Sequence, residues 1–182
     1  NKNLTTSEII GQVWLVAEYL KQFENGKKYI TNIVFMGMGE PLLNLMNVVP
    51  AIKILLDNNA YNISHNRVTV STAGVVPGIK KLSEKTNVSL AISLHAPTDQ
   101  LRNKLVPLNK KYPLEILIGT CREYLKQDAN QTITFEYTLI KNVNDSEELA
   151  RVLLKLLKPI KAKINLIPYN NVIGLSYESS TE

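Results

Sequence analysis

The order of elements read from the sequence predicts an α/β fold built on a parallel sheet, open or closed as a barrel. Three observations carry this. Apolar strand segments alternate with helical segments along the chain. The strands are apolar on both faces, the pattern of strands covered on both sides in a parallel sheet. No Asn-Gly type hairpin signal falls between them, so each connection is a crossover.

The elements follow in order. "TTSE", Thr5 to Glu8, has the form of a capping box, in which a Thr oxygen and a Glu carboxylate satisfy reciprocal orphan amides. Ile10, Val13, Trp14, Ala17 and Leu20 then recur at helical spacing, and Gly26 reads as the stop. A strand follows at about Ile30 to Met36. Asn47 is placed to cap a second helix that runs to about Asn58, with Pro50 in its first turn. Arg67 to Ser71 reads as a strand, and Val75 to Lys85 as a helix after a Gly74 turn. Val88 to His95 is the third strand. "TDQLRNKL" makes a short helix, and Pro113 starts a longer one to about Gln127. Thr132 to Ile140 is the fourth strand, Ser146 to Leu157 a helix, and Ala162 to Pro168 the fifth strand. The last dozen residues, with Ser179, Ser180 and Thr181, read as loop. The first helix has no strand before it, so a first strand and its loop are expected to be missing upstream.

Composition narrows the class. The 182 residues fit one domain, with 45% hydrophobic and 20% charged residues, as in ordinary globular proteins. No apolar run approaches the roughly 18 residues of a membrane span, and the polar N-terminus is no signal peptide. One cysteine and two histidines make neither a disulfide framework nor a self-contained zinc site. A reducing, cytoplasmic location is expected. A net charge of +5 tolerates a nucleic-acid partner without demanding one. The start at Asn1 rather than Met suggests a processed or excised piece.

Ligands of parallel α/β folds sit at the carboxyl ends of the strands. There the sequence places Gly39 and Glu40, then Ser71 and Thr72, then Ser93 and His95, then Asn142, Asn144 and Asp145, then Tyr169, Asn170 and Asn171. Glycines admit close approach to the backbone, Glu40 can receive an ammonium group, and Ser71, Ser93 and Asn170 can bond hydroxyls or a carboxylate. Each also has a structural reading. Asn142, Asn144 and Asp145 suit a turn and a helix cap, and His95 alone suits a structural histidine. "GMGEP" is neither a dinucleotide fingerprint nor a P-loop. Cys121 shares core spacing with Leu114, Leu117, Ile118 and Leu125. Glu136 either points into a barrel lumen with a partner or lies on an exposed edge. Arg102, Lys104, Lys110 and Lys111 form a basic patch that is solvated surface or a nucleic-acid contact.

The segments "NLTTSEIIGQV", "FMGMGEPLLN", "RVTVSTAGVVPGI", "LAISLHAP", "LVPLNKKYPLE", "YTLIKNVND" and "KINLIPYN" together resemble the radical S-adenosylmethionine core of the RlmN/Cfr family of RNA methyltransferases. The resemblance covers nearly all of the chain and is nearer the dual-specificity branch that methylates C2 of adenosine in 23S rRNA and tRNA. It implies a partial (β/α) barrel whose first strand lies upstream, with residues 1–182 as a single radical SAM core domain. It implies S-adenosylmethionine on Gly39, Glu40, Ser71, the Ser93-Leu94-His95 run and Asn170, with the Gly-Glu-Pro turn near the methionine ammonium. It implies a 4Fe–4S cluster on a CxxxCxxC motif expected before Asn1, a methyl-carrying cysteine expected beyond Glu182, and a flavodoxin-like electron donor. One cofactor molecule would methylate that cysteine and another would be cleaved reductively at the cluster. The fragment itself is then expected to be inactive and to carry no metal or catalytic residue, since one thiol cannot replace the cluster ligands.

Other readings stay open at this point. The chain is compatible with a C8-specific methyltransferase of the same family. A cluster-free α/β barrel lyase or aldolase would use Lys141 or Glu136 at a strand end. A non-catalytic RNA-binding scaffold would need no reactive cysteine.

Overall fold

The computed structural model describes residues 2–25, 27–128, 130–171, 174 and 176–180; the predicted stop at Gly26 and Thr181 of the tail lie outside them. Five strands form one parallel sheet in sequence order: β1 (Ile33–Phe35), β2 (Val68–Thr72), β3 (Ser89–Ser93), β4 (Ile133–Leu139) and β5 (Ala162–Pro168). Helices α1 (Thr6–Tyr19), α2 (Gln22–Asn25), α3 (Leu45–Leu56), α4 (Val76–Ser83), α5 (Asp99–Leu105), α6 (Leu114–Leu125) and α7 (Glu147–Leu157) occupy the chain between and before them. This is the α/β order that the alternation of apolar strands and helices predicts.

The core lies on one side of the sheet. Val68, Val70, Leu90, Ile92, Ile133 and Phe135 pack with Ile52, Leu55, Ile79, Leu82, Leu117 and Cys121 of α3, α4 and α6. Side chains alternate across a strand, so the intervening residues face the other way. Paired positions of parallel neighbours share a face, which makes Ser71, Ala91, Thr134 and Lys163 one row and Ser93, Glu136 and Asn165 the next. This second face, opposite the helices, is the one a partial barrel turns inward, and it is largely polar. Burial on both faces therefore holds for β2, β3 and β4 but not for β5, whose residues are mostly exposed.

Local chemistry explains most element ends. The Thr5 capping box forms: the Thr5 hydroxyl accepts from Glu8 N, and Thr5 N donates to the Glu8 carboxylate at 2.8 Å. Of the α1 stripe, Ala17 is buried but Trp14 and Leu20 are exposed. Asn47 is not a cap. The helix starts at Leu45, Pro50 lies inside it, and Asn47 ties two elements together, accepting from Thr6 N at 3.2 Å and donating to Asn44 Oδ1 at 2.8 Å. Thr98 and Ser146 cap α5 and α7. The tail is more than loop, because Ser179 bridges antiparallel to Ile140 beyond the end of β4. Among the described residues no helix is long and apolar enough to cross a membrane.

Candidate functional site at the carboxyl rim of the sheet

The rim begins where β1 ends. Gly37 and Gly39 adopt φ of +127° and +94°, a region costly for any residue with a Cβ. A Cβ on Gly39 would meet nothing within 4 Å, so the requirement there is backbone conformation and not space. The turn delivers Glu40 to the end of β2. Its Oε1 accepts from Leu42 N at 3.0 Å, and its Oε2 accepts from the Thr72 hydroxyl at 3.0 Å and Ala73 N at 2.9 Å. Thr72 Oγ1 in turn accepts from Gly74 N and Val75 N. The carboxylate thus clasps two strand ends. A carboxylate offers about four acceptor positions, so among the described residues one remains on Oε1 for a cationic donor.

Ser71 and Ser93 lie on the polar face, and their hydroxyls have no hydrogen-bond partner among the described residues. β3 ends at Ser93, two residues before the predicted end. Leu94 is fully buried, while His95 turns out of the strand with φ of +57°. The amides of Leu94 and His95 both donate to the Glu136 carbonyl, at 3.0 and 3.2 Å. His95 Nδ1 accepts from Thr138 N at 3.1 Å, which leaves Nε2 as the ring's N–H. Burial and the charge of Arg102 hold the imidazole below its ordinary pKa. Glu136 is itself buried, with Oε2 accepting from Asn165 Nδ2 at 2.6 Å. Of its two sequence readings, the polar face with a partner is the one observed.

Asn170 stands two residues beyond β5 and is exposed, at the same end of the sheet but without a hydrogen bond to the other members among the described residues. Beside it the Tyr169 ring packs edge-on against Tyr177 at 6.0 Å, and its hydroxyl is buried without a partner among the described residues. A surface groove of about 790 Å³ between α1 and α3, lined by Ile10, Trp14, Asn47 and Tyr61 among others, shares no residue with this rim.

Arg102 belongs to the rim although the sequence suggests a surface patch, and Asn144 does more there than the turn-and-cap role its sequence suits. Arg102 is not part of a surface patch. It is 1% exposed, and its guanidinium donates to the carbonyls of Leu94 (3.1 Å), Ala73 (2.7 Å) and Ser93 (3.1 Å) and to Asn109 Oδ1 (3.0 Å). Burial lowers its pKa to about 10, against the pull of Asp99, so it stays charged at neutral pH. Lys104, Lys110 and Lys111 remain exposed. Asn144 is no simple turn residue. It is buried, donates to the carbonyls of His95 (2.8 Å) and Thr138 (2.7 Å), and accepts from Ile140 N at 2.7 Å. Asp145 does act in the turn, accepting from Asn142 N at 2.9 Å. A period of two gives the signal for the polar face: Thr69 and Ser71, Ser89 and Ser93, Thr134, Glu136 and Thr138, Lys163 and Asn165. No comparable pattern marks Arg102.

The chain matches the Radical SAM superfamily over residues 7–153. It belongs to that superfamily. A dual-specificity RNA methyltransferase RlmN from Xylella fastidiosa is 50% identical over the whole chain, which spans 47% of that protein. Another from Marinobacter nauticus is 55% identical over 93% of the chain and 46% of that protein. The chain thus spans about half the length of the curated relatives it matches. Among solved structures, a radical SAM methyltransferase from Sphaerobacter thermophilus superposes with a TM-score of 0.90 at 41% identity, over 100% of this chain and 52% of that one. A domain of pyruvate-formate lyase-activating enzyme from Bacteroides vulgatus superposes at 0.60 with 19% identity, which shows the fold alone. The five-stranded parallel sheet is thus a radical SAM partial (β/α) barrel.

Superfamily membership implies S-adenosylmethionine and a 4Fe–4S cluster. The donor set fits the first: unpartnered Ser71 and Ser93 hydroxyls, a His95 Nε2–H and a free Glu40 acceptor position face a molecule rich in hydroxyl, carboxylate and ammonium groups. It does not fit the second. The single thiol, Cys121, is fully buried on α6 and pushed by burial up to about 12, and among the described residues no group of His, Cys, Asp and Glu could hold a metal. The lysine of an aldolase reading fares no better. Lys141 pairs with Glu178 at 2.9 Å, which raises its pKa, whereas a nucleophilic lysine needs it lowered.

Proposed function

We propose that these 182 residues are the single-domain S-adenosylmethionine-binding core of a radical SAM methyltransferase that methylates C2 of adenosine in 23S rRNA and tRNA. The carrying observation is the identity of 50–55% to dual-specificity RlmN proteins across the whole or nearly the whole chain. The rim supports it. Gly39 and Glu40, Ser71, the Ser93-Leu94-His95 run and Asn170 all stand at the carboxyl ends of successive parallel strands, where ligands of such sheets sit.

Bound there, S-adenosylmethionine supplies the transferable methyl group and, on reduction, radical chemistry. The chain's residues hold and orient it. Glu40 receives the methionine ammonium while bracing the ends of β1 and β2. Ser71 and Ser93 bond polar groups of the cofactor, His95 offers Nε2–H as a donor, and Asn170 closes the rim at β5. Cluster ligands and the methyl-carrying cysteine come from chain outside these residues, so the fragment alone is inactive. A low-potential donor of the flavodoxin kind and a cytoplasmic location complete the reading.

The test is calorimetric titration of the full-length protein with S-adenosylmethionine, then mass spectrometry of 23S rRNA and tRNA after reaction. Methyl groups on adenosine C2 support the reading. Methylation at C8 overturns the target, and absence of cofactor binding overturns the whole assignment.

A further inference from the structure

We propose that Glu136 is a cofactor-binding residue of this pocket: its Oε1 accepts hydrogen bonds from the ribose hydroxyls of S-adenosylmethionine, with Asn165 as its positioning partner. The inference rests on the cofactor assignment above and adds a residue outside it.

Register places the carboxylate. Ser93, Glu136 and Asn165 are Cα partners on three successive strands, so their side chains share one row on the polar face. Glu136 is 7% exposed, unusually little for a glutamate with no cationic partner among the described residues. Asn165 Nδ2 occupies Oε2 at 2.6 Å and fixes the carboxylate plane. Oε1 has no partner among the described residues. It is also not sealed, since the Tyr169 hydroxyl alone among them is a buried side-chain polar atom without a bond. An oriented acceptor thus opens onto the polar face.

Chemistry selects the occupant. A carboxylate accepts and cannot donate. The cofactor's methionine carboxylate is repelled by it. The methionine ammonium belongs with Glu40, at the β1 end of the sheet. Neighbouring strands are about 4.8 Å apart, so β1 and β4 are separated by roughly 14 Å, and the nucleoside half falls over β3 to β5. In that half a ribose diol presents two adjacent O–H donors that converge on one acceptor. The Ser93 hydroxyl, next in the same row and unpartnered among the described residues, can donate its O–H to the oxygen of one of the same ribose hydroxyls.

A purely structural Glu136 would need only to accept from Asn165, which a glutamine oxygen does equally well. Glu136→Gln in the full-length protein therefore separates the roles. The probes are S-adenosylmethionine and its 2′-deoxyribose analogue, titrated calorimetrically beside a thermal melt. The wild type is expected to prefer the ribose form, and E136Q to bind it about tenfold more weakly, the factor that about 1.4 kcal/mol represents. E136Q should bind the deoxy analogue almost as the wild type does. Equal affinity of E136Q and wild type for S-adenosylmethionine, or an equal loss for both probes, overturns the proposal. Failure of the wild type to bind either probe overturns the cofactor assignment, and this inference with it. If E136Q does not fold, Asn165→Ala on the exposed β5 reads the same discrimination. A reduced ribose preference supports the proposal and an unchanged one overturns it.

Discussion

The Thr72 hydroxyl donates to Glu40 Oε2 at 3.0 Å across 32 residues of sequence. With the amides of Leu42 and Ala73 on the same carboxylate, this bond joins the loop after β1 to the end of β2. Glu40 is therefore a brace as well as a rim acid. Glu40→Ala leaves the Leu42 and Ala73 amides without their acceptor. A cost of about 1–3 kcal/mol in stability is expected, alongside weaker S-adenosylmethionine binding. Urea titration of the full-length protein measures the first and calorimetry the second. Loss of binding with unchanged stability would mean that the three bonds are dispensable.

Arg102 should be the most sensitive polar position. Its guanidinium bonds three carbonyls, from Ala73 after β2 and from Ser93 and Leu94 at the end of β3. Arg102→Met removes the charge but strands these buried acceptors and Asn109. A loss of about 3–5 kcal/mol is expected, the range for breaking a buried charged network. Arg102→Lys should recover only part, because an ammonium cannot reproduce the planar fork. Denaturant midpoints of the two variants decide it; equal stability of wild type and R102M would show that the network contributes nothing.

Gly78 makes a steric prediction. A Cβ there would lie 2.6 Å from Leu42 Cβ and 3.3 Å from the Leu42 carbonyl oxygen, because α4 packs directly on the turn after Glu40. Both neighbours lie at or near the backbone and cannot swing away. Gly78→Ala should therefore destabilise by about 1–3 kcal/mol despite its better helix propensity. A raised melting temperature would contradict the packing.

The elements were legible because their signals are local. The Thr5 box, the apolar runs of β2 to β4 and the cap at Ser146 each declare themselves within a few residues. The rim residues on strand ends were legible for a topological reason, since successive parallel strands deliver their ends to one side. Arg102 was not legible. Its partners are carbonyls of Ala73, Ser93 and Leu94, groups every residue carries, so no side-chain pattern marks the contact. Asn144 sits in a sequence rich in turn residues, and only the fold shows that it reaches His95. Burial on both faces was expected of β5 because Ile164, Leu166 and Ile167 make it look apolar by composition, yet Ile164 and Leu166 are both exposed.

The last prediction concerns pH. His95 Nδ1 accepts from the Thr138 amide, and protonation of that nitrogen would set N–H against N–H. Burial first, and the nearby Arg102 charge second, keep the folded imidazole below its ordinary value of 6.5. The unfolded chain has no such restraint. As pH falls through about 6.5 the unfolded state takes up a proton that the folded state refuses, so the unfolded state binds more protons and stability falls with it. Above that pH both states are neutral at this site and the effect vanishes. The melting temperature should thus drop between pH 7.5 and 5.5 by more in the wild type than in His95→Asn, which cannot titrate. Parallel pH profiles for the two proteins would instead assign the acid sensitivity to other groups and remove His95 from the account of rim stability.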